Sequence, residues 1–242
     1  YGENYMDSIR IKSFGEYIEY IEENYSHQHI FRGQNNLAYK LIPKIGRDTY
    51  FNRCPSLDYL QDLEEQTMRN FINMSVPYID LRGMSSWDQW TIGQHHGLPT
   101  RFLDWTENPL IAAYFATENA NDQDVAVYVT DRNQFNSNTV DEEDVFSFSA
   151  EDDVLLHVPS YINARIISQK GLFTVHRNPA NPLDETVLNG KTCEVHQIVI
   201  DHSIIKEFID DLDWFGINRS FIYPGLDGLA YYLDLKAKGG IS

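Results

Sequence analysis

The segment DVAVYVTD, residues 124–131, is the feature that most restricts the fold of this chain. It is apolar, rich in β-branched residues and bounded by Asp on both sides, which is typical of a β-strand. The preceding segment ENPLIAAYFATENA predicts an α-helix, because Pro109 falls in the first turn, where a missing N–H costs little. Further segments of both kinds occur along the 242 residues, with no internal repeat and no linker-like stretch. We therefore predict a single α+β domain.

The remaining elements follow from apolar periodicity and capping signals. Ser13 with Glu16 predicts a capped helix over residues 13–25, and Ser86 with Gln89 predicts the cap of a helix that ends at Gly97. Asp227 is expected to cap the last helix. Other helices are predicted at 56–74, 204–216 and 226–238, and strands at 29–33, 164–177 and 193–201. We also predict a strand or loop at 219–224, extended segments at 40–47 and 98–106, and a surface loop with one short element at 132–153.

The chain is strongly acidic, with a formal net charge of −17. Its 19 basic residues are scattered along the sequence, so nucleic acid is a disfavoured partner unless a local basic cleft overrides the average field. A small anionic ligand needs only two or three well-placed groups. Cys54 and Cys193 form neither a zinc motif nor a disulfide framework. No apolar run approaches the roughly 20 residues that span a bilayer, so we expect no membrane association and a cytoplasmic location.

Two segments could bind an anion. In FRGQ, residues 31–34, Arg32 follows an apolar pair and either ends a strand in solvent or points at an anion. The segment GQHHGLPTRFLDWTENPLIAAYFA, residues 93–116, combines a helix N-terminus with a dense set of polar side chains. Two structural readings stay open here, an Arg101–Asp104 ion pair and histidines that only close a helix. The polar candidates in this segment are His95, His96, Thr100, Arg101, Asp104 and Thr106.

Other kinds of site find little support. The histidines lack the i, i+4 spacing of a zinc helix, and GxSxG, GxGxxG and P-loop motifs are absent, so we predict no metal. In RIISQKGLF the polar Gln169 enters a strand-like run, either as a ligand contact or as an edge residue facing water. Gly171 suggests a bulge or a close backbone approach.

Taken together, these blocks resemble the FRG domain family, named for its Phe/Tyr-Arg-Gly motif. The resemblance extends over roughly residues 14–235 of the sequence. We accordingly expect residues 1–12 to be an added or disordered lead and residues 13–242 to form the FRG domain. The matching blocks are 31–34, 43–47, 94–101, 103–106, 108–109, 114–116, 165–173 and 224–230.

The block order also resembles the ADP-ribosyltransferase fold, a split β-sandwich that binds NAD in a cleft. This resemblance implies that Arg32, Asp104 and Gln169 form the catalytic group. It implies contacts to NAD, the expected substrate, from Arg32, Gly33, Gln34, His95, His96, Thr100, Arg101 and Thr106. Gly33 would let the backbone approach the nucleotide.

One position departs from the pattern of active transferases, which have a glutamate where this chain has Gln169. The glutamate's charge favours the oxocarbenium-like transition state, and its loss costs on the order of 10²–10³ in rate. Either Asp104, Glu194 or Asp227 supplies the charge, or the cleft binds without this chemistry.

Two functions therefore remain, and both take a nucleotide as ligand. The first is an NAD-dependent ADP-ribosyltransferase-like or NAD-cleaving effector, such as a bacterial toxin or phage-defence component, whose macromolecular target the sequence does not identify. The alternative is a non-catalytic nucleotide sensor with the same cleft. A purely structural domain, with Arg32 ion-paired and the cleft filled, is a third reading.

Overall fold

A computed structural model describes residues 7–120, 122–137, 144–148, 152–160 and 164–241. Its strands are β1 Ser8–Ile11, β2 His29–Gln34, β3 Phe102–Thr106, β4 Val125–Asp131, β5 Asn136–Ser137, β6 Val154–His157, β7 Gly171–His176, β8 Val187–Leu188, β9 Lys191–Thr192 and β10 His196–Ile200. Its α-helices are α1 Phe14–Asn24, α2 Asp48–Phe51, α3 Leu57–Ser75, α4 Ser86–His95, α5 Pro109–Thr117, α6 Ala164–Gln169, α7 Ile205–Trp214, α8 Arg219–Ile222 and α9 Leu226–Ala237.

Eight strands form one mixed sheet in the order β1-β10-β4-β2-β3-β7-β6-β5, and β8 and β9 form a separate hairpin. Most neighbours are antiparallel, whereas the outer pairs β1–β10 and β5–β6 are parallel. Helices pack around the sheet, so the predicted single α+β domain is confirmed.

The sheet has two halves that meet at its centre. Strands β2 and β3 pair only at Phe31 and Thr106 among the described residues. On either side of this joint the ladders are long: β2 pairs with β4 over six positions and β3 pairs with β7 over five. Because residues of both β2 and β3 beyond the joint line one cavity, the gap between the two halves is where the cleft opens.

Helix α5 and strand β4 form as the sequence predicts. The Asn108 side chain accepts a hydrogen bond from the N–H of Leu110, with Pro109 in the first turn. The helix is apolar on all sides because it packs between the sheet and α7. Residues Val125–Thr130 of β4 are all buried, in keeping with their apolar, β-branched character.

The prediction of a strand over residues 164–177 is wrong for the first half of this segment. Residues 164–169 form α6, with Ile166 buried and Ile167 exposed. A short apolar run does not distinguish a helix from a strand. Lys170, with φ of +45°, turns the chain into β7. Gly171 pairs regularly with Thr106, so the expected bulge is absent at this position.

Smaller differences concern caps and ends. The cap of α4 is Ser85, which accepts a hydrogen bond from the N–H of Asp88, instead of Ser86. Asp227 lies within the first turn of α9, after a Gly225 cap. Residues 219–222 form a helix, capped by the Asn218 side chain, where the sequence predicted a strand or loop.

The amino-terminal boundary also differs from the expectation. Strand β1 pairs with β10 from Ser8↔Gln197 to Ile11↔Ile200, so residues 8–11 belong to the sheet and not to a lead. Residues 1–6 lie outside the described residues, as do 138–143 and 149–151 of the predicted loop. None of the helices that the structure describes combines the length and apolarity of a membrane span.

Candidate functional site

A cleft of about 1090 Å³ opens between the two halves of the sheet. This volume slightly exceeds the range of roughly 300–1,000 Å³ that is usual for small-molecule sites. One wall is β2 from Phe31 to Gln34 with the segment that follows it, and the other comprises β3, α6 and the start of β7. The carboxyl-terminal part of α4 closes one side.

Arg32 bridges the two strands where their backbone pairing stops. Its Nη1 donates a hydrogen bond of 2.8 Å to the main-chain oxygen of Asp104 and lies 3.8 Å from Oδ2 of the same residue. The side chain is 13% exposed, and its Nε is buried without an acceptor among the described residues. Burial lowers the Arg32 pKa, an effect that Asp104 opposes and Arg47 strengthens. A ligand acceptor at this position would satisfy a donor that the fold leaves free.

The Asp104 carboxylate is held from a second side. Gln94 Nε2 donates to Asp104 Oδ2 at 2.9 Å, and Thr100 Oγ1 donates to Gln94 Oε1 at 2.5 Å. The Thr100 hydroxyl thus fixes the orientation of the Gln94 amide, which in turn positions Asp104. The Asp104 side chain remains 59% exposed toward the cleft. A carboxylate held in this way can stabilise positive charge on a bound molecule.

The cleft is cationic although the chain is acidic. Of the described side chains that line it, five are cationic and two are carboxylates, in a chain of net charge −17. Lys44 Nζ donates to the Gly97 carbonyl, which leaves its charge unpaired by any acid in the described part of the chain. The cations are Arg32, Lys40, Lys44, Arg47 and Arg165, and the carboxylates are Asp48 and Asp104.

His95 lines the cleft as a neutral side chain. Burial, followed by the positive charges of Arg165 and His96, lowers its pKa to about 4. At neutral pH its imidazole therefore donates and accepts hydrogen bonds without adding charge. His96 is exposed, contacts the ring of Phe71 and is not part of the lining. Of the two histidines predicted to bind the cofactor, His95 therefore lines the cleft and His96 does not.

Gln169 lines the cleft at the end of α6, and its amide is already engaged. Its side-chain Nε2 donates to the Ile222 carbonyl at 3.1 Å, and its main-chain carbonyl accepts a hydrogen bond from the Thr106 hydroxyl at 2.7 Å. Thr106 therefore links β3 to α6 and also accepts the N–H of Asn108 at the start of α5. Glu194 and Asp227, two of the three acids considered as sources of the charge that Gln169 lacks, do not line the cleft. Asp104, the third, does line it.

Arg101 does not face the cleft, contrary to its predicted role in cofactor binding. Its guanidinium pairs with Glu64 of α3, with Nη2 3.0 Å from Oε2, and lies over the Phe146 ring. Its backbone N–H also donates to Glu64. The ion pair that the sequence analysis considered for Arg101 thus exists, but its partner is Glu64 rather than Asp104. Thr100 is likewise fully buried and acts through Gln94.

Gly33 has a structural reason to be glycine. A Cβ atom at this position would overlap the Ala112 carbonyl and the Ala116 nitrogen, because α5 crosses β2 here. The close approach that the residue permits is therefore to α5. Its neighbour Gln34 is buried, lines the cleft and has an Oε1 without a donor among the described residues.

Several residues of the cleft were not among the candidates predicted from the sequence. Lys40, Lys44 and Arg47 come from the segment after β2, and Gln94 and Arg165 from α4 and α6. The cationic run KLIPKIGR, which closely follows FRGQ, was an available signal.

A cluster outside the cleft satisfies the spacing of a cation site. Asp124, Asp201 and His202 bring their ligand atoms within 4.8 Å of one another. Arg10 Nη1 lies 2.6 Å from Asp124 Oδ2 and 3.2 Å from Asp201 Oδ2, so these charges are already paired.

Fold and site together define a mixed α/β domain with a cationic cleft between the two halves of its sheet. A comparison with known protein families matches residues 27–125 to the FRG domain. This match agrees with the family resemblance that the sequence blocks indicate. The match includes β2, β3 and the residues between them, which form most of the cleft. Comparisons with curated proteins and with solved structures found no match.

Proposed function

We propose that the cleft binds a nucleotide of the NAD type and cleaves it, with water or a macromolecule as the acceptor of the ADP-ribosyl group. The observation that carries the proposal is the excess of cations in the cleft of a chain with net charge −17. Such a concentration of positive charge against the average field favours a phosphorylated ligand.

Arg32 and Asp104 take the central roles in this proposal. The buried Nε–H of Arg32 has no acceptor in the described part of the chain and can donate to a phosphate or ribose oxygen. When the bond between ribose C1′ and nicotinamide breaks, its electron pair goes to the pyridinium nitrogen and positive charge develops on the ribose. The Asp104 carboxylate, held by Gln94, stabilises that charge. The acceptor then bonds to C1′ and releases its proton to solvent. An enzyme of this kind would act as an effector, such as a bacterial toxin or a phage-defence component.

One observation favours a second function, a nucleotide sensor without turnover. The Gln169 side chain carries no charge and its amide is engaged by the Ile222 carbonyl, so it adds no electrostatic stabilisation to a reacting ribose. In this alternative the same cations bind the nucleotide, and Asp104 only orients it.

Nicotinamide release and NAD binding by the purified chain test the proposal. We expect release by the wild-type chain and a loss of about 10²–10³ in rate for Asp104→Asn, which keeps the shape and removes the charge. Glu194→Gln is the matched control, because Glu194 is 76% exposed and lies outside the cleft.

Three results separate the possibilities. NAD binding without release would replace the enzyme by the sensor. Release that Asp104→Asn leaves unchanged would remove Asp104 from the chemistry. Absence of both binding and release would refute the proposal, whichever variant is used.

A further inference from the structure

The cleft contains a second cation whose surroundings differ from those of Arg32. Arg165 lies on α6, on the wall formed by the β3–β7 half of the sheet, whereas Arg32 lies on β2 in the other half. We propose that Arg165 is an anion-binding residue of the cleft, which takes a phosphoryl group of the ligand and makes the site selective for nucleoside diphosphates and their derivatives over nucleosides. This inference rests on the proposed function, and it names the chemical class of the ligand.

The first reason is an unsatisfied donor. The Nε of Arg165 is buried and has no acceptor among the described residues, and the side chain makes no ion pair there. A buried N–H without an acceptor carries a free-energy cost. In a cleft wall, a ligand oxygen removes that cost, and a phosphoryl group offers several oxygens with negative charge.

The second reason is that the side chain is held in place without being neutralised. Its guanidinium carbon lies 4.5 Å from the centre of the Tyr223 ring, a cation–π contact. The Tyr223 hydroxyl donates to Glu118 Oε2 at 2.9 Å, which fixes the ring. Glu118 also pairs with Arg219, whose guanidinium lies 4.5 Å from the centre of the same ring. The available carboxylate therefore serves Arg219, and Arg165 retains its charge for a ligand.

The third reason is the charge of the lining around Arg165. The two carboxylates of the described lining are Asp48 and Asp104, and Asp104 is bound by Gln94 and lies beside Arg32. The Arg165 charge instead acts on His95, which it helps to keep neutral. The cleft thus combines a neutral imidazole with a guanidinium that has no ion-pair partner among the described residues, and this combination favours an anion there.

Calorimetric titration with inorganic pyrophosphate, ADP and adenosine tests the inference. We expect Arg165→Gln to weaken pyrophosphate and ADP binding at least about tenfold, the loss of one charge-assisted contact. Adenosine binding should not change. Arg82→Gln is the matched control, since Arg82 is 61% exposed and pairs with Asp80 away from the cleft. Thermal unfolding of both variants verifies that they are folded.

Two outcomes would overturn the inference. The first is a wild-type chain that binds neither pyrophosphate nor ADP. The second is an Arg165→Gln variant that binds both as tightly as the wild type. The proposed function fails separately: pyrophosphate binding that depends on Arg165, without NAD binding or turnover, would support the anion site and reject NAD. Conversely, NAD turnover that Arg165→Gln leaves unaffected would retain the enzyme and reject this role of Arg165.

Discussion

Arg101 and Glu64 form an ion pair in which guanidinium Nη2 lies 3.0 Å from carboxylate Oε2, with side-chain exposures of 4% and 0%. Burial raises the Glu64 pKa, and Arg101 opposes that effect. Because Arg101 follows Thr100 directly, the pair fixes the start of β3 against α3 and thereby supports the Thr100–Gln94–Asp104 chain of hydrogen bonds.

Glu64→Gln should strongly destabilise the fold. Removal of one partner leaves the Arg101 charge buried and unpaired, which costs about 3–5 kcal/mol in the free energy of unfolding. Urea denaturation measures this loss. Glu65→Gln, on the same helix but 36% exposed and 4.0 Å from Arg69, should change stability by no more than about 0.5 kcal/mol. Equal losses in both variants would contradict the assigned role of the buried pair.

Gly33→Ala should destabilise the packing of α5 against β2. The added methyl group overlaps the Ala112 carbonyl and the Ala116 nitrogen, so the helix must shift, at a cost of about 1–3 kcal/mol. Gly171→Ala is the control at the opposite wall of the cleft, because the nearest atom to its Cβ, the Trp105 oxygen, lies 4.0 Å away. Thermal unfolding compares them, and a normal melting temperature for Gly33→Ala would show that α5 adapts without cost.

Thr100→Val should lower NAD turnover while retaining the fold. Without the hydroxyl, Gln94 Oε1 loses its donor and the amide that positions Asp104 is free to rotate. We expect a decrease of roughly tenfold in turnover, the effect of about 1.4 kcal/mol on the barrier. Thr117→Val, which removes a buried hydroxyl bonded within α5, is the control and should leave turnover unchanged. A decrease of the same size in both variants would assign the effect to stability alone.

Stability should fall as pH decreases from 7 to 5, in part because of His176. Burial, followed by the charges of Arg101 and Arg32, lowers its pKa from 6.5 to about 3. Between these two pH values the His176 side chain binds a proton in the unfolded chain but not in the folded chain. The contribution of His176 to the free energy of unfolding is therefore fully present above pH 6.5 and decreases toward pH 3. The slope is about 1.4 kcal/mol per pH unit for one such histidine.

The difference between wild type and His176→Gln isolates this contribution, since other groups titrate alike in both. Urea denaturation at pH 5, 6 and 7 should give a shallower pH dependence for the variant. His27→Gln provides the matched control in the segment between α1 and β2, where the side chain is exposed, and should retain the wild-type slope. Parallel pH profiles for wild type and His176→Gln would contradict the role of burial.

The sequence predicts the elements whose signals are local. Helix α5 carries its own cap and first-turn proline, and β4 carries an unbroken apolar run, so both were predicted with nearly correct bounds. Arg32 was likewise placed correctly on a strand. In contrast, α6 is six residues long, and its apolar pattern fits a helix or a strand equally.

The site residues that the sequence misplaced depend on contacts between distant segments. Arg101 looked like a ligand contact because its partner Glu64 is 37 positions away. Gly33 looked like an approach point for a nucleotide, whereas the constraint comes from α5, which follows β3. Arg165 was not among the candidates, although Gln169 of the same segment was, and the fold brings both side chains to the cleft.

The single Phe31–Thr106 pair has a mechanical consequence for the cleft. Each half of the sheet is stiffened by long ladders, so deformation concentrates at the joint, which is also the floor of the cleft. Widening the cleft requires one backbone pair and the Arg32–Asp104 contact to yield, while both ladders stay intact. The size of ligand that the domain admits is therefore governed by the compliance of this joint as much as by the side chains that line it.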